Sequence, residues 1–124
     1  MTLLKTSEHT DSKKQQKRVV APLVNIHETD KEVVLQAEMP GLTKEDIVVE
    51  LKGEELHIVG HRNVEEPPKG YTTLIKERFP FEYRRSFVLH DVQTDKMSAR
   101  YDNGVLTITL PKAERLQPKK ITIS

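Results

Sequence analysis

The stretch Met97-Ser98-Ala99-Arg100-Tyr101-Asp102-Asn103-Gly104-Val105-Leu106-Thr107-Ile108-Thr109-Leu110 decides the fold. In an extended strand, residues two apart share one face. Leu106, Ile108 and Leu110 therefore form an apolar face, with Thr107 and Thr109 turned away. Asn103-Gly104 is the strongest short hairpin signal, because both turn positions need positive φ. The sequence predicts two antiparallel strands, 97–101 and 105–110, joined through Asp102-Asn103-Gly104.

The period of two continues outward from this hairpin. Residues 23–27 read as a short strand, followed by a turn at Asp30-Lys31. Val33, Leu35, Ala37 and Met39 then alternate with Val34, Gln36 and Glu38, the pattern of a half-buried strand. Pro40-Gly41 breaks it, and Thr43-Lys44-Glu45-Asp46 predicts one capped helical turn. Ile47, Val49 and Leu51 alternate again, Lys52-Gly53-Glu54 turns the chain, and Leu56 and Ile58 lead to Gly60. Residues 81–89 form a long strand. Seven or eight short strands with tight turns predict an all-β chain, an antiparallel β-sandwich.

Residues 61–80 are too long for an ordinary connection. Glu65-Glu66-Pro67-Pro68-Lys69-Gly70 forbids regular structure, yet 72–77 can extend, with Leu74 and Ile75 on opposite faces. The segment reads either as a short strand that pairs elsewhere or as a mobile solvent loop.

Composition limits the function. The chain has 124 residues, enough for one domain, with 35% apolar and 31% charged residues. Its net charge of +1 gives no strong field toward nucleic acid or an acidic membrane, so neither is expected as a partner. The basic cluster Lys13-Lys14-Gln15-Gln16-Lys17-Arg18 has no interleaved aromatics and reads as part of a flexible arm. With no cysteine, disulfides and thiolate metal sites are excluded. No apolar run approaches the roughly 20 residues of a membrane span, and the first residues lack a signal-peptide core, so a cytoplasmic location is expected.

No phosphate loop and no nucleophile elbow occurs. His57 and His61 lie about 13 Å apart along a strand and cannot share a metal unless the chain turns at Gly60. No cofactor, metal or catalytic residue is expected. Two further features need partners. Arg85 shares strand parity with Phe81, Tyr83, Phe87 and Leu89, so its charge must find a carboxylate or carry a desolvation cost, unless it snorkels at the sheet margin. Ile121 and Ile123 flank Thr122 on one apolar face, either a last strand of the chain's own sheet or a peptide that docks on another copy.

Several of these residues resemble a known family. Met39-Pro40-Gly41-Leu42-Thr43-Lys44-Glu45-Asp46-Ile47 with Leu56-His57-Ile58-Val59-Gly60-His61-Arg62 resembles the first half of an α-crystallin domain. Ala99, Asn103, Gly104, Val105 and Leu106 fit that domain's A-x-x-x-N-G-V-L signature, and Ile121-Thr122-Ile123 its I-x-I motif. The match runs from about Ala21 to Ser124 and is similar to the small heat-shock proteins of bacteria and plants. The sequence departs from them in its short polar arm, in His90 where proline is usual, and in Pro80 where glycine is common.

The resemblance implies an immunoglobulin-like sandwich over 21–112, an arm over 1–20, a long loop over 61–80 and a C-terminal extension over 113–124. It implies an ATP-independent chaperone, not an enzyme, whose partners are itself and unfolding proteins. The loop strand, with Tyr71, Leu74, Ile75 and Glu77, would be exchanged within a dimer, with Arg85 near the interface. Ile121 and Ile123 would dock between edge strands carrying Ile47, Val49 and Leu51 on one side and Met97, Ala99 and Tyr101 on the other. Burying two isoleucines contributes about 3–6 kcal/mol gross, set against ordering the linker, which suits a reversible plug. The competing reading is a non-chaperone interaction module like the CS co-chaperone domain, which generally lacks both the tail motif and the exchange loop.

Overall fold

The computed structural model describes residues 18–114 and 120–123. The arm at 1–17 with most of its basic cluster, residues 115–119, and Ser124 lie outside the described residues.

Eight strands form two four-stranded sheets. They are β1 (Arg18–Val20), β2 (Leu23–Glu28), β3 (Glu32–Glu38), β4 (Ile47–Lys52), β5 (Glu55–Arg62), β6 (Phe81–Val88), β7 (Ser98–Asp102) and β8 (Val105–Pro111). One sheet has the order β1-β6-β5-β4 and the other β2-β3-β8-β7. All pairings are antiparallel except that of β1, which runs parallel to β6.

The period-two pattern explains the core. Leu35 and Ala37 of β3, with Met39 just beyond it, lie beside Leu106, Ile108 and Leu110 of β8 in the same sheet. Leu56 and Ile58 of β5 and Tyr83 of β6 close the core from the other sheet. A one-residue slip would turn each of these faces to solvent, so the apolar parity also fixes the register.

The 39–41 bend ties the two sheets together. Asn103 and Gly104 adopt φ of 49° and 78°, as the hairpin reading requires. The Met39 N–H donates to Gly104 O at 2.8 Å. A Cβ on Gly104 would lie 3.3 Å from Pro40 Cα, so glycine serves the close approach as well as the turn. Tyr101 OH donates to Met39 O at 2.7 Å, and Tyr83 OH donates to Pro40 O at 3.0 Å. One hydroxyl comes from each sheet, and both end on consecutive carbonyls of the same bend.

Two expectations are modified. The eighth strand is β1, inside the stretch read as arm, while residues 72–77 form no strand within the chain. Among the described residues Arg85 finds no carboxylate: its Nη1 donates to Pro22 O at 3.1 Å and its guanidinium lies 5.0 Å from the Phe87 ring centroid. A backbone carbonyl and an aromatic face together stabilise a half-buried guanidinium without a counter-charge. His90, which has no partner nearby in sequence, meets Glu54 of the β4–β5 turn at 2.7 Å.

Candidate functional site

The outermost strands of a sheet carry unpaired backbone groups, which attract further strands unless guarded. Here β4 ends one sheet and β7 ends the other, and the two edges lie side by side. Between them is an open cavity of about 460 Å³. Ile47 and Val49 of β4 line it with Ala99 and Tyr101 of β7, four of the six residues that the family resemblance points to. Leu51 and Met97, expected in the same groove, are half-buried against the core and do not line the cavity. Met97 lies before β7, where it closes a one-turn 3-10 helix at Thr94–Lys96.

Three lining residues were not legible in the sequence. Leu106 forms part of the floor from β8, one strand behind the edge. Lys44 and Arg100 also line it. Lys44 comes from the 3-10 turn Lys44–Asp46 that feeds β4, so its position depends on how that turn is capped. The Thr43 N–H donates to Asp46 Oδ2 at 2.9 Å, the Thr43 hydroxyl donates to the same oxygen at 3.0 Å, and the Asp46 N–H returns to Thr43 O at 3.0 Å. The backbone N–H and then the hydroxyl of Thr43 hold the Asp46 carboxyl below its ordinary value of 3.8. Alternation alone would turn Arg100 away from the face of Ala99 and Tyr101.

The other predicted site residues lie apart from the groove. Ile121 and Ile123 are 84% and 93% exposed and pair with no strand among the described residues. Tyr71, Leu74, Ile75 and Glu77 are exposed on the long loop, Leu74 at 92%. The limbs of this loop flank an open hollow of about 640 Å³, lined by Val64 and Pro67 on one side and Ile75 and Arg78 on the other. The start of the extension is fixed. Lys112 N–H donates to Lys31 O, Gln93 N–H to Pro111 O and Gln93 Nε2 to Lys112 O, at 2.7–2.8 Å.

Polar chemistry elsewhere is local. His57 Nδ1 and Ser86 Oγ are 2.9 Å apart, whereas His61 Nδ1 lies 3.3 Å from Glu82 Oε1 without a hydrogen bond, so the two histidines have separate surroundings. Among the described residues no group of three His, Cys, Asp or Glu side chains is placed to hold a metal. Burial pushes the Tyr83 hydroxyl above its ordinary value. No helix of the described residues is long and apolar enough to cross a membrane.

The chain matches known proteins over most of its length. It is 42% identical over 91 residues to heat shock protein HSP.16.4 of Streptococcus thermophilus, covering 71% of this chain and 63% of that relative. It is 37% identical over 115 residues to a probable 15 kDa heat shock protein of Leptospira interrogans, covering 92% and 85%. Among solved structures, heat shock protein 16.0 of Schizosaccharomyces pombe superposes with a TM-score of 0.65 at 33% identity, covering 85% of this chain and 99% of that one. A protein-family model described as Hsp20/alpha crystallin family matches residues 25–124, from β2 through the tail. With two sheets of the predicted parity, the Asn-Gly hairpin locked to the 39–41 bend and these relatives, the chain belongs to the Hsp20/alpha crystallin family, the small heat shock proteins.

Proposed function

We propose that this protein is an ATP-independent holdase, which binds unfolding proteins in the cytoplasm and keeps them from aggregating. The family supports a chaperone role. The single observation that carries the finer reading is the pair of unguarded edges, β4 and β7, facing one another across an apolar groove. An unfolding chain exposes apolar side chains in extended backbone. Such a segment fits an edge twice, through main-chain hydrogen bonds and through alternate side chains seated on the floor. Neither interaction needs nucleotide.

The tail would occupy the same groove when no client is present. Ile121 and Ile123 place two β-branched side chains about 7 Å apart, matching the strand period of Ile47 and Val49. The loop segment 71–77 would pair with a second copy, where the free edge of β2 offers exposed Leu23 and Ile26. Assembly of dimers through tails would then depend on many weak contacts acting together.

Light scattering of a heat-stressed client tests this reading. The protein alone, without nucleotide, suppresses aggregation. No suppression at a several-fold molar excess contradicts the holdase reading.

A further inference from the structure

The groove between β4 and β7 combines an apolar floor with a basic rim. Ile47, Val49 and Leu106 contribute to the floor, and among the described residues Lys44 and Arg100 are the only charged side chains lining it. Both are exposed, and neither forms an ion pair among the described residues. The acids nearby in sequence, Glu45, Asp46, Glu50 and Asp102, do not line the groove; Asp46 is bonded to Thr43, and Glu50 lies 3.8 Å from Lys52.

The chain's own tail brings like charge to this rim. Lys119 and Lys120 immediately precede Ile121. In extended backbone Lys120 lies within about 4 Å of Ile121 along the chain, inside the Debye length of about 8 Å at physiological ionic strength. Seating the tail therefore adds its cation to Lys44 and Arg100 at a groove with no carboxylate among its described lining residues. An occupant with aspartate or glutamate in place of those lysines converts the repulsion into attraction and keeps the same apolar contact.

We infer that the groove is matched to an extended apolar segment flanked by acidic residues, supplied by an unfolding protein, and that the lysine-flanked tail is its weaker, charge-mismatched occupant. The inference rests on the groove docking proposed above. It gives a route to exchange: a client segment of suitable charge displaces the tail without any other change in the fold. It also makes the competition depend on salt, since screening strengthens the tail relative to the acidic segment.

The test uses the full chain carrying Ile121→Ser and Ile123→Ser, which leaves the groove unoccupied by its own tail. The probes are two labelled hexapeptides, Pro-Lys-Lys-Ile-Thr-Ile and Pro-Glu-Glu-Ile-Thr-Ile, followed by fluorescence anisotropy. The acidic peptide binds about tenfold more tightly at low salt, the size expected of a few surface charge pairs. The gap closes near 1 M salt, where the Debye length is about 3 Å. Adding Lys44→Glu and Arg100→Glu, both at exposed positions, inverts the order. Equal affinities at low salt, or an order that the charge reversal does not change, overturns the inference and leaves groove docking standing. Failure of both peptides to bind at any salt overturns the docking reading and the inference with it.

Discussion

Gly104→Ala and Gly53→Ala, taken as a pair, measure how strongly the β7–β8 turn is locked to the 39–41 bend. Both glycines have positive φ, 78° and 63°. An L-residue in the left-handed region costs about 1–2 kcal/mol. The lower entropy of the unfolded alanine chain offsets about 0.4–1 kcal/mol of that. A Cβ on Gly53 meets nothing within 4 Å, so Gly53→Ala should lose only the net of these two, about 1 kcal/mol. A Cβ on Gly104 lies 3.3 Å from Pro40 Cα and 3.4 Å from its Cβ. The obstacle includes backbone, and the Met39 N–H to Gly104 O bond resists any shift of the turn. Overpacking of this kind adds about 1–3 kcal/mol, giving about 2–4 kcal/mol in all. Urea unfolding at one fixed protein concentration reads the difference, because assembly shifts apparent stability with concentration. If the two variants lose the same stability within about 0.5 kcal/mol, the approach of the turn to Pro40 contributes nothing and the reasoning fails.

Other expectations follow from the same geometry. Asp46 should titrate below 3.8 when its carboxyl is followed by NMR; a midpoint at or above that value contradicts the Thr43 cap. Because its folded value is depressed, the stability it contributes is present above the ordinary carboxylate range and is lost as pH falls through the folded value. Arg85→Ala removes the bond to Pro22 O and the stacking on Phe87, and should promote dissociation of the proposed dimer on dilution in sedimentation velocity; unchanged dissociation counts against Arg85 as an interface residue. Ile121→Ser with Ile123→Ser should reduce the assembly to a dimer in native mass spectrometry. An assembly of unchanged size means that tail docking does not build it.

The sandwich was readable because its strands alternate cleanly. Leu106, Ile108 and Leu110 lie on the predicted face, and Leu35, Ala37, Leu56 and Ile58 meet them from the other strands. Short apolar repeats with polar alternates leave few arrangements that bury one face. What escaped was set by contacts between distant residues. β1 has three residues behind a basic cluster, and it exists because β6, far along the chain, offers a parallel partner. Arg85 is satisfied by a carbonyl 63 residues away, and no side-chain pattern announces a backbone acceptor. In the groove, Ile47, Val49, Ala99 and Tyr101 came from the family resemblance, while Lys44 and Arg100 did not. Their presence depends on a capped turn and on side chains that reach around an edge strand. The segment 72–77 can extend, yet among the described residues of one chain it has no strand partner.

Backbone amide hydrogen exchange, with and without a thermally unfolding client, reads whether β4 and β7 receive extended apolar segments. If they do, client binding slows exchange of the outward-facing amides of Ile47–Lys52 and Ser98–Asp102, and the same amides exchange faster in the Ile121→Ser, Ile123→Ser chain without client. Protection confined to other strands, with both edges unchanged, would contradict such docking.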